Sequence, residues 1–160
     1  IDVSLVGSEM CIRDSNEPKL IEYNIRFGDP ECQTLLRDLK TDLLDIFLAT
    51  IEDELSKIKI SKYNMKVICV VLASLGYPGN YQKNKLLKNL DKVKKSNNIE
   101  VFHAGTKLVK NKFYSNGGRV LCITARSTTL ENARRMVYKT IKAINWKNGF
   151  YRKDIGIKNK

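Results

Sequence analysis

The chain has 160 residues, of which 42% are hydrophobic, so it is long enough to bury a core and too apolar for a disordered protein. The longest uncharged run, 67–82, is shorter than the roughly 20 residues of a membrane-spanning helix. The four cysteines form no C-x-x-C pair and there is one histidine, which argues against a zinc site. The composition predicts a globular protein of the cytoplasm without a membrane partner.

The net charge of +12 allows two interpretations. Basic proteins often bind nucleic acid, and a stand-alone basic nucleic-acid-binding module is therefore the alternative function. Lysines are spread along the chain, however, and no basic–aromatic motif of a known nucleic-acid module is present. We expect a lysine-rich solvated surface that favours anionic substrates, and no nucleic-acid partner.

Residues 1–15 differ from the rest because they contain no lysine. Asp2 and Glu9 interrupt any signal-peptide core, and no basic segment precedes it. The string resembles translated sequencing-adapter read-through. We expect a non-native segment that does not pack stably on the remaining chain.

A period-two pattern runs from Lys19 to Phe27 and predicts a strand with one buried face. Gly28 ends this pattern, and Asp29-Pro30 predicts a helix start with Asp29 as N-cap and Pro30 as the first helical residue. Apolar residues at i+4 spacing predict one helix over 30–55.

The remaining chain predicts a small mixed domain. Strands are expected at 66–73, 100–104 and 118–125, a hairpin-type turn at 116–118, and a helix at 129–144 that begins with the capping box Thr128-x-x-Glu131. The fold class is α+β: 16–56 closes one domain, 57–64 is a linker, 65–157 forms a C-terminal domain and 158–160 is a tail.

Three polar residues share one face of the first predicted strand: Glu22, Asn24 and Arg26. Carboxylate and amide oxygens suit Mg²⁺, and an arginine beside them could hold a phosphoryl oxygen with two donors. Asp29 and Glu31 add carboxylates at the same strand end. The spacing alone is equally compatible with the solvated face of an edge strand.

Several blocks together resemble phosphoribosylamine–glycine ligases. The first is Leu20 to Glu31 (LIEYNIRFGDPE), and the others read ASLGYPG at 73–79, FHAGTK at 102–107, NGGRVL at 116–121 and YRKDIG at 151–156. They follow the family's order from about residue 16 to 157. Leu75 and Asn84 depart from the family pattern, which often has Lys and Gly there.

The resemblance implies the end of an ATP-grasp domain followed by the ligase C-terminal domain. In that family ATP phosphorylates glycine, and the amine of 5-phosphoribosylamine attacks the glycyl phosphate. By the family pattern Glu22 and Asn24 would bind Mg²⁺ or Mn²⁺, and Arg26 would contact the transferring phosphoryl group. Asp29 and Glu31 would lie by the substrates.

Two further residues are weaker candidates. Arg119 could bind an anionic substrate group or be a surface arginine on a strand. His103 could be a general base, although its segment in the family looks structural or substrate-adjacent. We expect the chain to be a monomeric fragment that lacks the N-terminal part of the enzyme and is inactive alone.

Overall fold

The computed structural model describes residues 11–12, 19–20, 26–91, 93 and 96–157. Strand β1 (Cys11–Ile12) pairs antiparallel with β2 (Lys19–Leu20) in a two-stranded sheet of their own, and the other residues of the segment 1–15 lie outside the described part. Within the expected strand 19–27, residues 21–25 lie outside the described part. Arg26 lies in a bend and Phe27 in no strand, so the strand does not extend to 27.

Two helices and a short 3-10 helix replace the single helix expected over 30–55. They are α1 (Glu31–Asp38), α2 (Leu43–Ile51) and the 3-10 helix Leu55–Lys57. The interruption has two causes: Leu39 forms a β-bridge with Lys62, and the Asp42 side chain accepts the Leu44 N–H and starts a new helix.

The beginning of α1 also differs from the expectation. Pro30 occupies the N-cap position, and no side chain caps the helix. Asp29 is therefore not the N-cap. Its carboxylate instead accepts a hydrogen bond from the Gln33 side chain and forms an ion pair with Arg119. The expected polar linker is held in place at Tyr63, whose N–H donates to the Asp38 carbonyl and whose ring lies under the Arg126 guanidinium.

A four-stranded antiparallel sheet forms the centre of the molecule. Its strands are β3 (Lys66–Ser74), β4 (Ile99–His103), β7 (Arg119–Ser127) and β8 (Gly149–Phe150), in the order β4-β7-β3-β8. Helix α3 (Leu130–Ile144) packs on β3 and β7. These elements confirm the three strands and the helix expected from the sequence, and a mixed α and β fold.

The hydrophobic core lies between the sheet and α3. Val70 and Leu72 of β3 and Ile123 of β7 are at most 3% exposed, and Val137 and Ile144 of α3 are fully buried. The opposite face of the sheet is covered by α1, which packs on β3 and β7. Helix α1 therefore fixes the segment 26–30 beside the sheet.

Strands β5 (Thr106–Val109) and β6 (Lys112–Ser115) form a separate hairpin that the sequence did not predict. Its two turn residues, Lys110 and Asn111, both have positive φ, as a tight two-residue hairpin turn requires. The segment 116–118 joins β6 to β7, which belongs to the other sheet, so the expected hairpin turn there is wrong.

The start of α3 is shifted by one residue from the expected capping box. The Thr129 hydroxyl, and not that of Thr128, accepts the Asn132 N–H at 3.2 Å. The helix ends at Ile144, and its C-cap, Asn145, has φ of 46° in the left-handed region that asparagine tolerates. No helix in the described part of the chain is both long and apolar enough to cross a membrane.

Candidate functional site

Three of the sequence blocks meet at one end of the sheet through their backbones. The Gly105 N–H donates to the Arg119 carbonyl at 2.9 Å, and the Asn116 N–H donates to the Gly105 carbonyl at 2.7 Å. From the third block, the buried Ser74 donates its N–H to Gly118 O at 2.7 Å and its hydroxyl to Gly117 O at 2.9 Å. We call residues 74–79, 103–106 and 116–119 the loop cluster.

Glycines are required in the loop cluster because the chains approach too closely for a side chain. A Cβ on Gly105 would lie 2.6 Å from both the Arg119 carbonyl oxygen and the Gly117 Cα. A Cβ on Gly118 would lie 2.1 Å from the Tyr77 ring. Close backbone packing therefore explains why glycine occupies these positions. The same packing fixes the position of Arg119, the first residue of β7.

That first residue, Arg119, joins the loop cluster to the segment before α1. Its guanidinium donates to the Asp29 carbonyl at 2.7 Å and lies 3.1 Å from Asp29 Oδ2. Both side chains keep more than two fifths of their surface exposed. The structure thus brings together two of the expected substrate-binding residues, which are distant in the sequence, at an accessible surface.

The other described candidates lie in the same short segment. Glu31 Oε2 accepts the Gly28 N–H at 3.1 Å, which closes the turn before α1. Arg26 is exposed in the bend three residues before Asp29. Gln33, which the sequence analysis did not single out, donates to Asp29 Oδ1 at 2.9 Å. Its position four residues after Asp29, at helical spacing, was the available signal.

Glu22 and Asn24, the expected metal ligands, lie outside the described residues. Within 26–91, 93 and 96–157, no group of three or more His, Cys, Asp or Glu side chains could hold a metal ion. The two carboxylates nearest the expected site, Asp29 and Glu31, already have hydrogen-bond partners. The described residues do not form a metal site of their own.

His103 is separated from the Arg119 side chain by the sheet. On the strand register it lies opposite Leu121, whose side chain is in the core with α3, whereas the Arg119 guanidinium reaches Asp29, which precedes α1 on the other side of the sheet. Its ring stacks on Phe113 at 4.3 Å, and Nδ1 is 3.0 Å from the Thr106 hydroxyl. Burial lowers the pKa of the imidazole. These contacts favour a structural role over that of a general base.

Two thiols lie in the interface between α1 and the sheet. The hydrogen bond between Cys69 and the neighbouring Cys122 favours the protonated Cys69 thiol, and this bond and burial together raise the pKa of Cys69, so it remains a neutral thiol. Cys122 is 1% exposed. Cys69 is held neutral and Cys122 is buried, so neither thiol is an accessible nucleophile.

One departure from the family pattern has a backbone explanation. Asn84 has φ of 63°, and its N–H donates to the Ser115 carbonyl at 2.6 Å. This left-handed conformation is easy for glycine, and asparagine is among the few other residues that adopt it routinely. The replacement therefore preserves the loop geometry. Leu75 is 53% exposed, so no buried contact depends on it.

The comparisons with known proteins agree on one family. Residues 67–158 match the family described as phosphoribosylglycinamide synthetase, C domain. The chain is 44% identical over 154 residues to the chloroplastic phosphoribosylamine–glycine ligase of Arabidopsis thaliana, covering 95% of this chain and 29% of that protein. It is 42% identical to the ligase of Brucella melitensis, covering 89% of this chain and 33% of that one.

A solved structure agrees with these relatives. The crystal structure of a phosphoribosylamine–glycine ligase from Thermotoga maritima superposes with a TM-score of 0.61 at 27% sequence identity. The match covers 86% of this chain and 33% of that one. The chain thus spans about a third of the length of these relatives.

Proposed function

Because the chain belongs to the phosphoribosylglycinamide synthetase family and matches its C domain, we propose that it provides the C-terminal part of an ATP-dependent ligase of purine biosynthesis. The complete enzyme joins glycine to 5-phosphoribosylamine through a glycyl phosphate. We place it in the cytoplasm as a monomer. The segment 16–56 is proposed to close the ATP-grasp domain and 65–157 to form the C-terminal domain.

The observation that carries this proposal is the Arg119–Asp29 pair at the loop cluster. The loop cluster is held by backbone bonds, and Asp29 holds the Arg119 guanidinium on one side. A guanidinium fixed in this way loses little further side-chain entropy when it binds a carboxylate or phosphate. Arg119 is therefore proposed to bind an anionic group of a substrate, with Asp29 and Glu31 beside it.

We assign phosphoryl transfer and metal binding to the segment that precedes Asp29. Arg26, exposed three residues before Asp29, is proposed to contact the transferring phosphoryl group, because a guanidinium can stabilise negative charge on two oxygens at once. Glu22 and Asn24 offer the oxygen donors that suit Mg²⁺ or Mn²⁺. When bound with ATP, such an ion neutralises charge on the phosphates.

The 160-residue chain alone is proposed to be inactive. Phosphoryl transfer requires ATP to be positioned as well as its charge to be neutralised. The residues assigned to metal binding and phosphoryl transfer, Glu22, Asn24 and Arg26, form one short stretch of the sequence. Catalysis therefore needs the part of the ligase that the relatives have outside the matched third.

A fusion tests the proposal. The matched third of the Brucella melitensis ligase is replaced by this chain, and ADP formation that depends on glycine and phosphoribosylamine is measured. We expect turnover from the fusion and none from the chain alone. A folded fusion without turnover, or turnover by the isolated chain, would contradict the proposal.

A further inference from the structure

A small cavity lies beside Trp146, the only tryptophan of the chain. Its volume is about 270 Å³, and two loops contribute its lining: Leu86, Lys88 and Asn89 from the first, and Asn145, Trp146, Lys147 and Asn148 from the second. Every one of these side chains except that of Leu86 carries an N–H donor. We call this space the Trp146 cavity. Its lining suits a ligand that accepts hydrogen bonds.

The Trp146 N–H is a buried donor that the described residues leave without an acceptor. Trp146 is 9% exposed, and its Nε1 atom is buried with no hydrogen-bond partner in that part of the chain. Leaving a buried N–H unpaired is unfavourable, and a hydrogen bond to a charged acceptor is stronger than one to a neutral acceptor. An anion placed beside this N–H would therefore bind favourably.

The N–H edge of the indole faces the Trp146 cavity. The opposite edge of the ring, at Cε3 and Cζ3, lies against Gly149, where a Cβ would meet these atoms at 2.1 and 2.2 Å. Gly149 lines a different, smaller cavity, to which neither Lys88 nor Asn89 contributes. Because Nε1 and Cε3 are on opposite edges of an indole, the N–H points away from Gly149, to the side of the ring where Lys88 and Asn89 lie.

Hydrogen bonds hold the two loops of the Trp146 cavity in place. The Asn89 amide of the first loop donates to the Ile144 carbonyl at 3.4 Å, next to the second loop. In the second loop, the Asn148 carbonyl accepts the Leu75 N–H at 3.0 Å, just beyond the end of β3. The donors are therefore arranged by the fold, and a ligand would not have to order them.

The charge around the Trp146 cavity is positive. No carboxylate is found among its described lining residues or among those of the two cavities that share Asn145 or Asn148 with it. The charged lining residues of the three cavities are all lysines: Lys88 and Lys147 in the Trp146 cavity, and Lys142 and Lys85 in its neighbours. Such a surface attracts anions and repels cations.

The C-terminal end of α3 opposes this attraction, but it is the smaller effect. Asn145 is the C-cap of α3, so the negative end of the helix dipole lies beside the cavity. That end amounts to about half an elementary charge, against the two ammonium groups of the lining. Two of its carbonyls also have donors already, Ile141 from the Asn145 N–H and Ile144 from the Asn89 amide. The net field therefore favours an anion.

We propose that the Trp146 cavity binds a phosphate group, either as inorganic phosphate or as part of a small phosphorylated molecule. A phosphate group carries up to two negative charges near pH 7 and several strong acceptor oxygens, which match the two lysines and the amide and indole donors. The site is separate from the Arg119–Asp29 pair, because Trp146 belongs to the core between the sheet and α3 and Asp29 precedes α1 on the other face. Binding there does not depend on the ligase reaction.

The single indole N–H reports on the Trp146 cavity directly. The ¹H–¹⁵N spectrum of the 160-residue chain contains one indole resonance, from Trp146, and it is followed during a titration with inorganic phosphate. Sodium chloride at the same ionic strength is the control. We expect a saturable downfield shift of the indole proton with phosphate, with a Kd on the order of 1 mM, and no saturable shift with chloride.

A titration with glycerol 3-phosphate distinguishes the two sources of the phosphate group. Tighter binding of this monoester than of inorganic phosphate identifies a small phosphorylated molecule as the ligand. Equal or weaker binding identifies the free ion. A single-stranded RNA oligomer that shifts the indole resonance when phosphate and glycerol 3-phosphate do not would overturn the proposal in favour of a nucleic-acid surface.

Lysine variants separate the site from the general basic charge of the chain. Lys88→Met and Lys147→Met each remove one charge from the lining and should raise the Kd for phosphate at least about fivefold. Lys139→Met is the matched control, since Lys139 is exposed on α3 and does not line the Trp146 cavity; its effect should be less than about twofold. The dispersion of the same spectra shows that each variant is folded.

Three results would overturn the proposal: an indole resonance that phosphate does not move, the same shift in chloride, or an equal loss of affinity in Lys139→Met. Trp146→Phe keeps an aromatic ring but removes the N–H, and phosphate binding to this variant is followed by ³¹P NMR. We expect weaker binding than in the parent chain. An unchanged Kd in a folded Trp146→Phe variant would also contradict the assignment.

Discussion

Arg119 and Asp29 are 90 residues apart in the chain and are joined by a hydrogen bond of 2.7 Å to the backbone carbonyl and an ion pair of 3.1 Å. The contact links the first residue of β7 to the segment that precedes α1. Nearly half of each side chain is exposed, so solvent screens the ion pair and its contribution to stability is small. This arrangement fits a binding residue better than a structural lock.

A double-mutant cycle measures that contribution. Arg119→Met, Asp29→Asn and the double variant are compared with the parent chain by urea denaturation. We expect a coupling energy at or below about 1 kcal/mol, as for exposed ion pairs in general. A coupling energy above about 2 kcal/mol would instead make the pair a structural lock and weaken the case for substrate binding.

The loop-cluster glycines should differ from a glycine nearby. Gly105→Ala forces a Cβ against two backbone atoms at 2.6 Å, whereas a Cβ on Gly79 meets its nearest atom at 3.3 Å. We expect Gly105→Ala to lower the free energy of unfolding by about 2–3 kcal/mol and Gly79→Ala by less than about 1 kcal/mol. Equal losses in urea denaturation would show that the close approach at Gly105 is not strained.

Gly118 offers a sharper form of the same test, because its obstruction is a side chain. A Cβ there meets the Tyr77 ring at 2.1 Å. The cost of Gly118→Ala should therefore shrink in a Tyr77→Ala background, while the cost of Gly105→Ala should not. An unchanged cost for Gly118→Ala in that background would place the conflict elsewhere.

The single histidine allows a direct titration. Burial lowers the pKa of His103 below its ordinary value of 6.5, so the unfolded chain binds the proton more readily than the folded chain. Stability from this group is fully present above pH 6.5 and falls as the pH decreases through the folded-state pKa. NMR titration of the imidazole should give a lower pKa in the native chain than in urea. An equal or higher native pKa would contradict the burial.

Substitution of two adjacent threonines, Thr128 and Thr129, identifies which of them caps α3. Thr129→Ala removes the acceptor for the Asn132 N–H and should cost about 1 kcal/mol of unfolding free energy. Thr128→Ala removes no cap and is the matched control. Urea denaturation of both variants checks the assignment, and the reverse order would restore the cap position expected from the sequence.

The sequence predicts the elements whose signal is local. β-branched runs mark β3 and β7, and the helical period marks α3. The i+4 apolar spacing also continued through Leu39, but a β-bridge to Lys62 breaks the helix there. Such a contact with a distant residue leaves no trace in a local period. The β5–β6 hairpin was missed because its turn, Lys110-Asn111, has no glycine at positive φ.

The site could be predicted only in its parts. The residue blocks identify Asp29 and Arg119 as candidates, but nothing in their spacing says that they touch. The contact depends on α1 packing on the sheet and on the close backbone approach of Gly105, Gly117 and Gly118. Those are properties of the folded chain, and the sequence shows only that the glycines are present.

The central claim is that Arg119 serves the ligase reaction, and Arg126 provides the matched control. Both are on β7, and both donate to a backbone carbonyl of the segment 29–37, Arg119 to Asp29 and Arg126 to Arg37. The decisive measurement is kcat/KM for phosphoribosylamine in the fusion enzyme carrying Arg119→Met or Arg126→Met. We expect a loss of about 10²-fold, or about 2.7 kcal/mol, for Arg119→Met and less than about threefold for Arg126→Met. Equal effects of the two substitutions would contradict the claim and leave Arg119 a structural residue.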